Sequence, residues 1–431
     1  MIHKNIENTL IRQNIHWKFP RNKIEYINRD LADKIKLNSG FIEIVTGVRR
    51  SGKSTIFNIL IDFLIQKKKA KAKEILFINF DNPNFVPLYE KVSDLDEIIK
   101  KAEVITGYKI KYLFLDEVQN ISLWEKWVKA SYDQKDFKKI FITGSNSDLL
   151  EGDYISRLSG RYFSYINFPF SFKEFLRQKK QDFSDNYLDI FQERHKIIGL
   201  FDQYLKTGGF PEVVIDNDLD IVNSYYQTIL LKDVIANNKI RDVVSLKELS
   251  YYLLTNCTSF FSYNKLARNL NLNERTVLEY VDYLKASYLF FDLKKYDYSL
   301  KKQNINKKKI YSIDNAMISQ IGFNFSENNG KFLENLVAVE LLRQNKEIYY
   351  HKNNHECDFV VKEKTKIVEA IQVCYEINER NRQRELDGLL DAMQNYKLNK
   401  GIVITRDQKD EFVFEKKKIK LVPAWEWLLG L

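Results

Sequence analysis

The run Gly47-Val48-Arg49-Arg50-Ser51-Gly52-Lys53-Ser54, followed by Thr55, constrains this chain more than any other stretch. It sits between an apolar stretch, Phe41 to Thr46, and an amphipathic one, Ser54 to Lys68. A glycine-rich turn joining a buried strand to a helix belongs to an α/β fold with helices on both faces of a parallel sheet. Gly47 and Gly52 let the backbone curl so that its N–H groups point inward at an anion, and the following helix presents the positive end of its dipole to the same anion. At this spacing Lys53 reaches the β- and γ-phosphates of a nucleotide, and Ser54 supplies a hydroxyl to Mg²⁺. Arg49, Arg50, Ser51 and Thr55 complete the predicted phosphate loop, and ATP with Mg²⁺ is the predicted cofactor pair.

Four further apolar runs, Ile75 to Phe80, Tyr112 to Leu115, Ile140 to Thr143 and Tyr162 to Phe168, read as strands separated by helical stretches such as Ser122 to Tyr132. Asp116 and Glu117 end the third of these five strands. A carboxylate at the end of a buried strand is costly unless paired, and nucleotide-bound Mg²⁺ pairs with Asp116. Glu117 is then placed to orient and deprotonate an attacking water. In Thr143-Gly144-Ser145-Asn146, Ser145 or Asn146 is placed to touch the γ-phosphate or the water. Arg157 and Arg161 are the candidates for an arginine finger, acting in cis or from a neighbouring subunit.

A chain of 431 residues exceeds one ordinary core, and its 44% apolar and 29% charged composition is that of a folded protein. Three cysteines make no disulfide framework and point to a reducing, cytoplasmic compartment. The polar N-terminus offers no signal-type apolar run, and no stretch approaches the roughly 20 apolar residues a bilayer span needs, so neither secretion nor a membrane partner is expected. The net charge of +10 permits a polyanionic partner without demanding one.

Gly47 to Thr55, Asp116-Glu117, Thr143-Gly144-Ser145, the run Phe168 to Phe175 and Gly208-Gly209-Phe210-Pro211 together resemble the bacterial and archaeal AAA-type ATPases, related to signal-transduction NTPases, that carry a C-terminal domain of unknown function. The resemblance extends over nearly the whole chain. It implies an additional-strand P-loop ATPase core with Glu117 as catalytic acid/base. Four parts are expected: an ATPase domain (1–170), a helical lid (171–242), a winged-helix-like unit (243–309) and an α/β restriction-endonuclease-like domain (310–431).

In the third part, Ser262 and Asn273 are placed to cap two successive helices, with Val277, Val281, Leu284 and Tyr288 facing inward. Glu274, Glu279 and Asp282 beside Arg275 and Lys285 suit a DNA groove poorly. The predicted contacts to double-stranded DNA therefore fall on Lys301, Lys302, Lys307, Lys308 and Lys309. In the last part, Glu334, Asp358, Gln372 and Cys374 resemble the PD-(D/E)xK nuclease pattern, with an amide replacing the second acid and a thiol replacing the lysine. Those replacements predict a catalytically silent module.

The resulting expectation is an ATPase switch or motor coupled to DNA. The alternatives are a nucleotide-gated signalling or interaction scaffold in defence or mobile-element control, and, further off, a nuclease. A protein partner and a second copy of the chain stay open.

Overall fold

The five apolar runs form one parallel sheet of β1 Ile42–Thr46, β2 Ile75–Asn79, β3 Tyr112–Asp116, β4 Lys139–Gly144 and β5 Tyr162–Ile166, in the order β2-β3-β4-β1-β5. The computed structural model describes residues 2–18, 26–88, 94–150, 158–181, 193–323 and 328–431. Every residue of β1, β3 and β4 is buried, which is why these strands read as unbroken apolar runs rather than alternating ones. Strand alternation sorts their side chains. Ile44, Leu76, Leu113 and Ile142 join Ile6 and Leu10 of the helix Ile2–Gln13 in one core. Val45, Phe77, Phe114 and Phe141 form the other with the helix Lys53–Gln66. Phe57 of that helix lies 5.1 Å from the Phe114 ring and 6.3 Å from Phe141, and those two rings stack at 4.3 Å.

β4 is inserted between β1 and β3, so the additional-strand arrangement implied by the resemblance is present. β1 and β3 therefore run two strand spacings apart, about 10 Å, with the end of β4 between them. At the other end of the sheet, Lys139 on β4 pairs with Glu43 on β1 at 2.6 Å, and both are buried. The same ammonium donates to the carbonyls of Ser39 at 3.0 Å and Phe41 at 2.6 Å.

The chain divides into two compact units, Met1–Asn167 and Phe168–Leu431. In the second, the helix Arg194–Thr207 stops at Gly208, whose φ of 67° suits glycine. Gly209 N–H then donates to the buried Asp314 carboxylate at 2.8 Å, and Pro211 opens the next helix.

The helices Tyr263–Leu270 and Glu274–Ala286 start at Ser262 and Asn273, whose side chains accept from Lys265 N–H at 3.4 Å and Arg275 N–H at 2.8 Å. Val277, Val281 and Leu284 are buried and Tyr288 is half-buried. With them goes an antiparallel sheet of β6 Phe260–Phe261, β7 Phe290–Leu293 and β8 Lys308–Ser312, ordered β6-β8-β7. The expected boundary after residue 309 falls inside β8. Lys308 and Lys309 pair with Phe261 and Phe260, so a cut there would split the sheet.

A six-stranded mixed sheet completes the unit: β9 Glu347–Lys352, β10 Glu356–Glu363, β11 Lys366–Val373, β12 Lys400–Thr405, β13 Asp410–Phe414 and β14 Lys417–Pro423, ordered β13-β14-β12-β11-β10-β9. The helices Asn329–Arg343 and Arg382–Asn395 belong to the same part. The β13–β14 hairpin has no counterpart in the sequence reading. β13 is a sheet edge with no buried residue, so it carries no apolar signature. Among the described residues no helix is long and apolar enough to cross a membrane.

Candidate active site

The loop after β1 turns on two glycines. Gly47 has φ 146°, and a Cβ there would lie 2.3 Å from the Asn167 carbonyl oxygen. Gly52 has φ 90° and caps the helix that begins at Lys53. The helix thus opens directly on the loop, with its unpaired N–H groups and positive dipole end toward any anion held there. Lys53 is buried, and its ammonium donates to the carbonyls of Gly47 at 3.0 Å and Val48 at 3.3 Å. Arg49 pairs with Asp81 at 2.9 Å, Ser51 is buried, and Arg50 is exposed with φ 69°. Thr55 is half-buried on the first turn of the helix.

β3 delivers Asp116 and Glu117 opposite this loop. Asp116 is fully buried and accepts from Ser54 Oγ at 2.6 Å, from Asn79 Nδ2 at 2.9 Å and from Thr143 Oγ1. Burial first, and then the charge of Glu117, push its pKa up to about 6. Glu117 takes a left-handed conformation, φ 55°, which turns its side chain out of the strand direction. Its N–H donates to Thr143 Oγ1 at 3.0 Å, and its carboxylate lies 3.6 Å from the Lys53 ammonium and accepts from Gln119 Nε2 at 2.5 Å. Gln119 also reaches Ser145 Oγ at 3.4 Å, which ties the turn after β4 to the acid after β3.

The structure therefore gathers Gly47, Ser51, Gly52, Lys53, Ser54, Asp116, Glu117 and Ser145 around one locus. It does not bring Arg161 there. Arg161 precedes β5, whose first residue Tyr162 is in register with Ile42, the first residue of β1. It stands at the amino edge of the sheet, about 15 Å of strand away from the loop. Its guanidinium pairs with Asp133 at 2.9 Å. A cis role for Arg161 is thereby corrected, since parallel strands put their starts and their ends at opposite edges. Arg157 lies outside the described residues.

Four participants escaped the sequence reading. Arg29, buried, donates to the Ser51 carbonyl at 3.0 Å and to Asn167 Oδ1 at 3.1 Å, and Asn167 Nδ2 donates to the same carbonyl at 2.9 Å. These two residues hold the loop from behind. Asn79 and Gln119 orient the two acids. Asn79 had a legible signal, since it ends β2 as Asp116 ends β3, and the two are in register.

The donor set suits a hydrated Mg²⁺. Ser54 and Asp116 offer adjacent oxygens, and the raised pKa of Asp116 marks a carboxylate short of positive charge. Among the described residues there is no cluster of three or more His, Cys, Asp or Glu that could hold a metal ion.

The lysines expected to meet DNA separate into two groups. Lys301, Lys302 and Lys307 are exposed. Lys308 pairs with Asp292 at 2.9 Å, and Lys309 is 3% exposed, within 3.0 Å of three carboxylates. Lys309 is thus removed from the predicted phosphate-contact surface, because β8 turns it inward. Glu334, Asp358, Gln372 and Cys374 all line one cleft of about 430 Å³ in the second unit.

Residues 39–176 match the family described as AAA domain, 198–327 a domain of unknown function (DUF8612), and 329–427 another (DUF4143). The chain is 33% identical over 427 residues to an uncharacterized protein of Methanocaldococcus jannaschii, MJ1544, covering 94% of this chain and 92% of that one. It is 31% identical over 408 residues to an uncharacterized protein of Haemophilus influenzae, covering 91% and 95% respectively. Among solved structures, the Aeropyrum pernix ORC1 protein in complex with DNA overlaps at a TM-score of 0.30 and 10% identity, covering 72% of this chain and 95% of that one. So slight an overlap transfers no property of that protein.

Proposed function

This chain belongs to the family of the Methanocaldococcus jannaschii protein MJ1544, with an AAA domain at its N-terminal end, and on that premise we propose that it binds ATP with Mg²⁺, hydrolyses it, and uses the nucleotide state as a switch or motor that engages double-stranded DNA. The observation that carries the ATPase reading is the meeting of Lys53 and Glu117 at 3.6 Å across the inserted strand β4. Lys53 neutralises phosphate charge, and the loop N–H groups and helix dipole orient the same anion. Ser54 and Asp116 would hold Mg²⁺, which adds positive charge to the phosphate oxygens. Glu117, in contact with Lys53, Gln119 and Thr143, would take a proton from the attacking water. An arginine from a neighbouring subunit, Arg161 or Arg157, would complete the charge balance.

The reading is tested by steady-state hydrolysis and nucleotide binding. Lys53→Ala is expected to abolish ATP binding. Glu117→Gln is expected to bind ATP and turn it over about a hundredfold more slowly. Hydrolysis by Glu117→Gln at the wild-type rate would remove Glu117 from its role.

DNA engagement is supported by Lys301, Lys302 and Lys307, which stay exposed on the connection between β7 and β8. The same connection favours a second reading, the nucleotide-gated interaction scaffold. Tyr298, Leu300 and Ile305 stand 83%, 74% and 73% exposed there, an apolar surface that phosphates do not reward and a protein partner does.

A further inference from the structure

The cleft of the second unit collects charge from three elements. Glu334 comes from the helix Asn329–Arg343, Glu356 and Asp358 from β10, and Lys309 from β8. Lys309 Nζ lies 3.0 Å from Glu334 Oε1, 2.9 Å from Glu356 Oε1 and 3.0 Å from Asp358 Oδ1. An ammonium has three N–H donors, and here it meets three carboxylates. Each acid is also held from elsewhere. Tyr311 OH donates to Glu334 at 2.8 Å, Lys352 pairs with Glu356 at 3.1 Å, and Val373 N–H donates to Asp358 Oδ2 at 3.0 Å. Burial is the largest single influence and works against the charge on Lys309, but Glu334, Asp358, Tyr311 and Glu356 together outweigh it and hold the ammonium protonated well above the ordinary lysine range.

We infer that the Lys309 ammonium is the resident cation of this cleft, standing where the endonuclease-like resemblance puts a metal ion. The residues do not fit that ion. Gln372 is neutral and engaged, its Nε2 donating to Glu385 at 2.7 Å and its Oε1 accepting from Asp358 N–H at 3.3 Å. Burial pushes the Cys374 thiol up to about 11, so it is protonated and neutral at physiological pH, and it donates to the Glu376 carbonyl at 3.2 Å. A divalent ion among the same carboxylates would sit beside an ammonium that cannot leave without abandoning its own partners. The lysine supplies by sequence the positive charge that a metal would supply by binding. Strand alternation delivers it, for Lys308 turns to Asp292 and Lys309 to this cleft.

Mn²⁺ binding by electron paramagnetic resonance, on the full chain without nucleotide, tests this in wild type, Lys309→Met and Lys309→Met/Asp358→Asn. The wild type and the double variant are expected to bind Mn²⁺ alike. Lys309→Met should gain one site, about tenfold tighter than any in the wild type, and lose it again with Asp358→Asn. The loop Ser54–Asp116 locus is common to all three and cancels. Should Lys309→Met not fold, Lys309→Gln, which keeps a neutral polar side chain toward the same three carboxylates, should show the same gain. A wild-type Mn²⁺ site that is missing from Lys309→Met/Asp358→Asn, or no gain in either single lysine variant, would overturn the inference.

Discussion

Asp116 is the residue whose chemistry is most exposed to test. Its pKa near 6 arises from burial and the neighbouring Glu117 charge, and ionisation is what a Mg²⁺ ligand requires. The sign is definite. A carboxyl raised in the folded state favours folding while protonated, so its stabilising contribution is lost as pH rises through about 6, whereas affinity for Mg²⁺ with ATP is gained over the same interval. Between pH 7.5 and 5.5, Mg²⁺-dependent ATP affinity should fall about fourfold more in the wild type than in Asp116→Asn. Fluorescent-nucleotide titrations check this, and the comparison cancels the nucleotide's own protonation. Equal profiles would mean that Asp116 does not ligate the ion. Arg29 gives a second prediction. Arg29→Met removes two charge-assisted hydrogen bonds behind the loop, at about 1.5–3 kcal/mol each, and should weaken ATP binding about tenfold or more while far-ultraviolet circular dichroism stays unchanged. The two residues also show what a sequence displays and what it hides. Asp116 was legible because it interrupts an apolar run. Arg29 had no local signal, since its role comes from Ser51 and Asn167, the latter 138 positions along the chain.

At the scale of elements, the sheet was legible because its central strands are buried on both faces and so write themselves as continuous apolar runs. The order of those strands was expected only through the resemblance, because crossovers leave no trace in periodicity. Elements with weak apolar contrast were missed. The helix Ile2–Gln13 buries Ile6 and Leu10 among polar residues, and β13 buries nothing. Inside the sheet, the Glu43–Lys139 pair joins β1 to β4 at the edge away from the loop. Breaking a buried pair leaves its partner charged and uncompensated. Lys139→Met should therefore cost about 3–5 kcal/mol, and Lys139→Met with Glu43→Leu should recover most of it. Urea unfolding read through the N-terminal unit distinguishes the two. If the single variant were as stable as the wild type, the pair would not hold β1 against β4. The lysine run around β8 carries a similar lesson. As a string of like charges it read as one basic surface, but strand alternation sent Lys308 to Asp292 and Lys309 to Glu334, Glu356 and Asp358.

For the whole molecule, the question is whether the proposed ATPase answers to a nucleic acid or to a protein, and salt separates the two. If Lys301, Lys302 and Lys307 each neutralise a phosphate, binding of double-stranded DNA releases counterions in proportion. The slope of log affinity against log salt then loses about 2.7 when all three become Glu. ATP hydrolysis in the wild type should rise on adding double-stranded DNA, and the triple variant should hydrolyse ATP at the basal rate without responding. These lysines lie outside the nucleotide locus, so a lower basal rate would signal misfolding rather than lost coupling. Hydrolysis indifferent to DNA in the wild type would turn attention to Tyr298, Leu300 and Ile305. Replacing those three with Ser would then be expected to abolish a partner interaction whose strength barely changes with salt, because apolar burial is not screened as charge is. Both surfaces lie on the one connection between β7 and β8, so the two variant sets differ in chemistry and not in place, and a response to one without the other assigns the class of partner.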